Sequence, residues 1–477
     1  MANTAHPFYE GALLTNHLLY QETDSTQYLT ESFDLAERSK ALLLYQSIQE
    51  ADALQYAGIP GSLLEREYNL RIDLSYYDQK RQERLSEGLE ETDSTVLSIS
   101  SKLFDLNQSY DSLKTHFEEE YPEYYRLKYD LSTISVEEIQ KELLNPDQSL
   151  LEFFVGDSTI FIFLLSQKDY DVIQVRKDTA IEAWVSQLRR GLKAPYNSEE
   201  PEDSPYRNSS YSAQQYADAA VKLYDKLIAP VKDKLQPKVI IIPDGVLGYL
   251  PFQALLEEMP ARPYRFHTHS YFGREHQLSY SYSATLLKEM QNKVHRAEPG
   301  KSLLAMAPFY DGTLYTLDSL YKAELAELEL EESLATTARS AFESLPYSGA
   351  EAYTASQLWD GDFLQGDEAT EQHFREMAGQ YRMLHLATHG AANDEVGEYA
   401  YLAFTEVDDS LENELLFVKD IYNLQLNADL VILSACQTAT GELQRGEGII
   451  SLARAFAYAG AKSITTTLWS VNDQKTK

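Results

Sequence analysis

From roughly Thr30 to Tyr129 the apolar positions recur at three- and four-residue steps, with charged residues between them, which predicts helices. The run from Ser39 to Leu54 sets this period, a break follows at Gly58-Ile-Pro-Gly61, and the pattern resumes from Leu63. It continues through Tyr68–Leu89 and Val96–Phe117 without a clean 34-residue repeat, so the segment reads as a helical arm or a degenerate repeat end. The period then changes. Ser149-Leu-Leu-Glu-Phe-Phe-Val-Gly156 and Ser158-Thr-Ile-Phe-Ile-Phe-Leu-Leu165 are apolar runs joined by a turn-favouring Gly156-Asp157 pair, which predicts a hairpin. Tyr170–Val175 adds a third strand, helices follow at Thr179–Lys193 and Ala213–Leu235, and Lys238-Val-Ile-Ile-Ile-Pro243 is a buried strand entering a turn.

The remainder alternates. Strands are expected at Ser302–Ala307, Tyr381–Ala387, Tyr399–Phe404, Leu430–Ala435 and Ser463–Leu468, and helices at Glu351–Trp359, Glu368–Ala378 and Gly448–Gly460. Such alternation predicts an α/β fold with a mainly parallel sheet covered on both faces, preceded by an α-helical arm. An acidic stretch from Leu317 to Ser333 interrupts it as a solvated excursion. The expected division is a helical arm over 1–145, a first α/β part over 146–300 and a second over 301–477.

Two strands end on reactive side chains. Asp429-Leu-Val-Ile-Leu-Ser-Ala-Cys436 delivers the only cysteine of the chain into a glycine-rich turn, and Tyr381-Arg-Met-Leu-His-Leu-Ala-Thr-His389 delivers an imidazole just before Gly390. The two stand 47 residues apart, enough for one crossover between neighbouring parallel strands, whose carboxyl ends carry the reactive groups of such folds. A lone cysteine can equally be a core filler. The next helix, expected to begin near Gly446–Ile449, would offer its amino-terminal dipole to a thiolate. His389 tips the reading toward acyl transfer: the Cys436 thiolate attacks a peptide carbonyl, and His389 protonates the leaving amine and then activates water. The backbone N–H groups of Gly390 and Cys436 are the expected oxyanion donors. His385 lies mid-strand, about 13 Å from His389 along an extended chain, and is expected to brace the core. No Cys or acidic cluster completes a metal site with these histidines, and neither a metal nor a cofactor is expected. Gly441–Gly448 resembles a phosphate loop in outline, yet Glu447 stands where its lysine is needed, and Gly300-Lys301-Ser302 precedes a strand, so nucleotide binding is not expected. A Gly-x-Ser-x-Gly elbow is absent.

Composition narrows the setting. Acidic residues outnumber basic ones 75 to 41, for a net charge of −34, which repels phosphate backbones and anionic lipid and argues against nucleic-acid or membrane partners. A basic peptide would be attracted, though the same charge also serves solubility. One cysteine forms no internal disulfide, the amino terminus lacks a secretory pattern, and no apolar run approaches the ~20 residues of a membrane span, so a cytoplasmic protein is expected.

Leu384-His-Leu-Ala-Thr-His-Gly390 and Leu433-Ser-Ala-Cys-Gln-Thr-Ala-Thr-Gly441 resemble the paired signatures of the CHAT domain, a caspase-like clan CD cysteine peptidase family related to separase. Ile242–Leu255, Ser281–Thr285, Leu345–Glu351 and Leu468–Asp473 are similar to further family stretches, in order, over roughly Leu150 to the end. The resemblance implies a caspase-like three-layer α/β/α domain and a His389–Cys436 dyad cleaving a protein substrate. It also implies amino-terminal tetratricopeptide-like helices, through which an activating protein partner would act, and a place in bacterial defence or cell death. By likeness to separase, Asp473 becomes a substrate-binding candidate for a basic side chain, against the plainer reading that it caps a helix. The family pattern continues past Leu468–Asp473, so the resemblance implies a further carboxyl-terminal portion beyond Lys477, in the same chain or as a separate fragment. The competing reading is a caspase-like scaffold that binds partners without turnover.

Overall fold

The computed structural model describes residues 2–40, 60–86, 92–122, 125, 133–177, 180–194, 200–295, 298–310, 345–393, 397–405, 415–435, 438, 441–444 and 448–468. Cys436, Asp473 and the acidic stretch 317–333 therefore lie outside the described residues. The chain forms two compact units, one of Met1–Leu42 with Thr133–Lys477 and one of Leu43–Ser132. Helices α1 (Ala2–Thr23) and α2 (Gln27–Arg38) thus belong with the α/β part and not with the rest of the expected 1–145 arm. The reason is burial: Leu13, Phe33 and Ala36 are closed against strands of the first sheet.

The second unit is built on helices α3 (Gly61–Ser86) and α4 (Ser94–Glu120). Asp93 caps α4 by accepting the Thr95 N–H at 2.8 Å. Val96, Ile99, Leu106, Leu113 and Phe117 form its buried stripe at helical spacing. Leu63 and Leu70 pack on Leu113 and Phe117, while Arg81 donates to Ser100 at 3.2 Å, so the two helices run antiparallel.

In the first unit, β1 (Gln148–Val155), β2 (Thr159–Leu165), β3 (Tyr170–Arg176), β4 (Lys238–Ile242) and β5 (Gln277–Tyr280) form a sheet ordered β3-β2-β1-β4-β5. The β1–β2–β3 pairs are antiparallel and the β1–β4–β5 pairs parallel. One face, with Leu151, Phe153, Ile162 and Ile241, packs on α5 (Ile181–Lys193) and α6 (Ser209–Leu227). The other, with Leu150, Phe154, Phe161 and Ile240, packs on α1, α2 and the start of α7 (Ala284–Asn292). Burial on both faces explains why β1 and β2 read as continuous apolar runs. Polar groups cross this second interface. Lys40 Nζ lies 2.5 Å from the Glu152 carboxylate, both buried, and Glu37 accepts the N–H groups of Ala284 and Thr285, each at 2.8 Å, at the amino end of α7.

The second sheet is all-parallel. It joins β6 (Lys301–Ala307), β7 (Asp362–Gln365) and β8 (Tyr381–Ala387) to two later strands. Between them, β9 (Gly390–Ala391), β10 (Tyr401–Ala403) and β11 (Leu415–Phe417) make a separate antiparallel sheet. The later strands are β12 (Leu430–Ser434) and, after a hairpin of β13 (Glu442–Gln444) and β14 (Gly448–Ile450), β15 (Ser463–Thr465). The order is β15-β12-β8-β6-β7. Alternation sorts the faces: Leu304, Met306, Leu384, Leu386, Val431 and Leu433 meet α9 (Glu371–Met377) and α10 (Leu452–Ala459), while Leu303, Ala305, Met383 and Ala387 meet α8 (Ser348–Leu358). The result is the expected three-layer α/β/α arrangement. Two expectations change. The strand expected at Tyr399–Phe404 shortens to β10 and leaves the parallel sheet, because it pairs antiparallel with β9 and β11; an edge of the parallel sheet is formed by β7, which is not among the expected strands. The helix expected from Gly448 begins only at Leu452, capped by Ser451, because Gly448–Ile450 pairs with Glu442–Gln444 as a hairpin. Its dipole is therefore displaced from the place expected for it.

Glu37→Ala strands two buried N–H donors and is expected to destabilise the protein by roughly 3 kcal/mol in urea unfolding, with Glu37→Gln losing less. A change below about 0.5 kcal/mol would show that the α2–α7 bond contributes little.

Candidate active site

The site is built where β8 and β12 end. They pair in parallel with Leu384 opposite Val431 and Ala387 opposite Ser434, and the Thr388 N–H extends the pairing to the Ser434 carbonyl at 3.2 Å. His389 follows two residues after Ala387. Its carbonyl accepts the Ala403 N–H at 2.9 Å, and the Thr388 hydroxyl donates to the Ala403 carbonyl at 2.5 Å, so the small sheet fixes the turn from behind. The His389 ring is half-buried and meets Phe309 edge-on, with centroids 4.9 Å apart. Gly390 pairs with Leu402. Since the ladder runs through the His389 carbonyl and the Ala403 N–H, Gly390 sits at a non-hydrogen-bonded position, and the β9–β10 ladder leaves its N–H unused.

His385 lies elsewhere. It is buried on the α8 face of β8, opposite Ala305 and Ile432, and its Nε2 stands 2.9 Å from the Glu351 carboxylate. That is the bracing role expected for it, although its Nδ1 is buried without a hydrogen-bond partner.

Cys436 is outside the described residues, but its chain neighbours are held on both sides by one residue, Thr467. The Thr467 hydroxyl donates to the Ala435 carbonyl at 2.7 Å, and its N–H donates to the Thr438 hydroxyl at 3.0 Å. Thr438 is fully buried, and its carbonyl accepts the Ala453 N–H at 3.3 Å. Sequence reasoning missed Thr467 and Thr438. The available signal was the hydroxyl run Thr465-Thr-Thr467, polar residues at the exit of a strand beside the candidate nucleophile's own.

The family model of the CHAT domain matches residues 217–477. The chain belongs to the CHAT family. Its match starts within α6 and takes in β4, β5 and the whole parallel sheet, so the CHAT region spans two strands of the first sheet as well as positions 389 and 436. The chain is also similar to human Tetratricopeptide repeat protein 28, 24% identical over 308 residues, covering 56% of this chain and 11% of that protein. The mouse protein of the same name is 27% identical over 158 residues, covering 27% of this chain and 6% of that one. The chain thus spans about a tenth or less of the length of these curated relatives. Among the described residues, no helix is long and apolar enough to cross a membrane.

Thr467→Val keeps shape and backbone but leaves the Ala435 carbonyl without its hydroxyl donor. The expected loss is about 1–2 kcal/mol by thermal or urea unfolding. Wild-type stability in this variant would mean that Thr467 does not hold the turn.

Proposed function

We propose that this CHAT protein is a cysteine endopeptidase whose dyad is His389 and Cys436. The observation that carries the reading is the parallel register of β8 and β12. Ala387 faces Ser434, and each candidate residue lies two positions further along its own strand. The Cys436 thiolate attacks the scissile carbonyl carbon, and the oxyanion takes hydrogen bonds from the N–H groups of Gly390 and Cys436. As the C–N bond breaks, the His389 imidazolium gives its proton to the departing amine. Water then attacks the thioester while His389 takes its proton, releasing the acid and restoring the thiolate. The Gly390 N–H, which the β9–β10 ladder does not take up, supports its part in this scheme. Asp473 remains a proposed contact for a basic substrate side chain, in keeping with the acidic chain.

A protein partner is proposed to act through the helical unit. Leu97 and Phe104, one heptad apart on α4, are 54% and 69% exposed, which suits a surface that receives another chain.

The test uses a fluorogenic peptide series with Arg, Lys, Asp or Met before the scissile bond, together with a peptidyl electrophile, on the full-length gene product. Labelling at Cys436 is expected, abolished in Cys436→Ala. His389→Ala is expected to lower kcat/KM by about 10³. Undiminished turnover in His389→Ala would refute the dyad. A thiol that no electrophile labels, with the partner present, would favour the scaffold reading instead.

A further inference from the structure

The chain that leaves β12 leads to the β13–β14 hairpin, and that hairpin is gripped by the turn that follows β4. After β4, the chain makes a tight turn over Gly245–Tyr249. The Tyr249 hydroxyl donates to the carbonyl of Gly441, the residue that opens the hairpin, at 2.5 Å. Ile449, on the opposite hairpin strand, lies 3.1 Å from where a β-carbon on Gly248 would stand, so the glycine permits the approach. Gly441 is equally constrained: a β-carbon there would fall 1.9 Å from the Ile450 carbonyl oxygen. The Arg189 guanidinium, from α5, lies over the Tyr249 ring at 4.5 Å, a cation–π contact that helps fix the ring. The hairpin also reaches the histidine's side of the site, where the Glu442 carboxylate accepts the Gly397 N–H at 3.1 Å.

The turn carrying Tyr249 is itself anchored. Asp244, buried, accepts the Val155 N–H at 2.6 Å, with the His6 ring 4.0 Å away. Burial pushes this carboxyl up, but the His6 contact, the Lys40 charge and the Val155 N–H together bring it below the usual range, so it stays ionised. Asp244 thus roots the turn in β1 and Tyr249 hands that position on to Gly441.

We propose that Tyr249 is a positioning residue for the nucleophile turn: with Arg189 behind its ring, its hydroxyl fixes the Gly441 carbonyl and so one end of the span that begins at Cys436. The inference rests on the peptidase reading. Thr467 holds the turn at Ala435 and Thr438; Tyr249 holds it where it enters the hairpin. A misplacement of about 1 Å in a catalytic group is enough to cost ~10²-fold in rate, so a second hold on the turn bears on reactivity. The turn after β4, which contributes neither proposed dyad residue, thereby sets the reactivity of the Cys436 thiol.

The experiment compares the wild-type protein with Tyr249→Phe, which removes only the hydroxyl. Tyr280→Phe serves as control, because its hydroxyl bonds Gln253 and the Phe252 N–H in the turn Phe252–Ala254 rather than the hairpin. Amide hydrogen exchange over 441–450 is expected to speed up by roughly fivefold in Tyr249→Phe and to stay unchanged in Tyr280→Phe. The inactivation rate constant of Cys436 with a peptidyl electrophile is expected to fall roughly tenfold, with the half-saturating concentration within about twofold and Tm within about 2 °C. Unchanged exchange at the hairpin overturns the clamp whether or not the protein is a peptidase. A wild-type inactivation rate in Tyr249→Phe, or an equal loss in Tyr280→Phe, overturns the positioning role. A wild-type thiol inert to every electrophile, with the hairpin still loosened by Tyr249→Phe, overturns the peptidase reading and leaves the clamp supported.

Discussion

The parallel pairing of β8 with β12 is the constraint on which the rest depends. Parallel neighbours lie about 4.8 Å apart and finish at the same edge of a sheet, so whatever follows them shares one rim. The pairing is specified by burial on both faces. Leu384 and Leu386 on one strand and Val431 and Leu433 on the other point into the α9–α10 layer, and a slip of β12 by one residue would turn Val431 and Leu433 to the opposite face. The same apolar alternation that builds the core therefore also sets which residues emerge opposite one another.

The rim is held by groups that do no chemistry. Ala403 and Thr388 tie the histidine's turn to the small sheet, Thr467 takes both flanks of position 436, and Tyr249 takes the hairpin beyond. Each is a hydrogen bond between a named donor and a carbonyl or hydroxyl that the local turn leaves over. Individually such bonds are worth about 1 kcal/mol, too little to hold a fold but enough to choose between neighbouring turn geometries. The first sheet takes part through one of them. Its own outer layer is supplied by α1 and α2, whose acids and Lys40 bond to groups on β1, the β1–β2 turn and α7. Glu10 accepts the Asp157 and Ser158 N–H groups of that turn, and His6 stacks on Phe154 with centroids 4.7 Å apart. The helical unit Leu43–Ser132 is inserted in the chain between this layer and Thr133, whose hydroxyl donates to Asp34 of α2.

Much of this was legible in the residues. Strands β1, β2, β3, β4, β6, β8 and β12 fall within a residue or two of their expected limits, and for β1 and β2 the reason is that a strand buried on both faces has no polar positions to blur its limits. The bracing role of His385 was legible from its place among Leu384 and Leu386. Short elements were not. The two- and three-residue strands β9, β11, β13 and β14 carry too few positions to show a period, and nothing local distinguishes Gly448–Ile450 from the helix that follows. The assignment of α1 and α2 to an arm also failed, since an amphipathic helix announces that it has a buried face but not which surface covers it.

By itself, then, the sequence determined the longer strands and helices, that a histidine and the cysteine each follow such a strand by two residues, and the family to which the order of motifs belongs. Those are consequences of periodicity and of residue type, both local properties. Only the tertiary structure decided that β8 and β12 are neighbours, that the amino-terminal helices roof the first sheet, and that Thr467 and Tyr249 reach the turn around position 436. Those contacts join residues up to about 190 positions apart, as Tyr249 and Gly441 are, and a hydroxyl carries no mark in the sequence of the distant carbonyl it will meet.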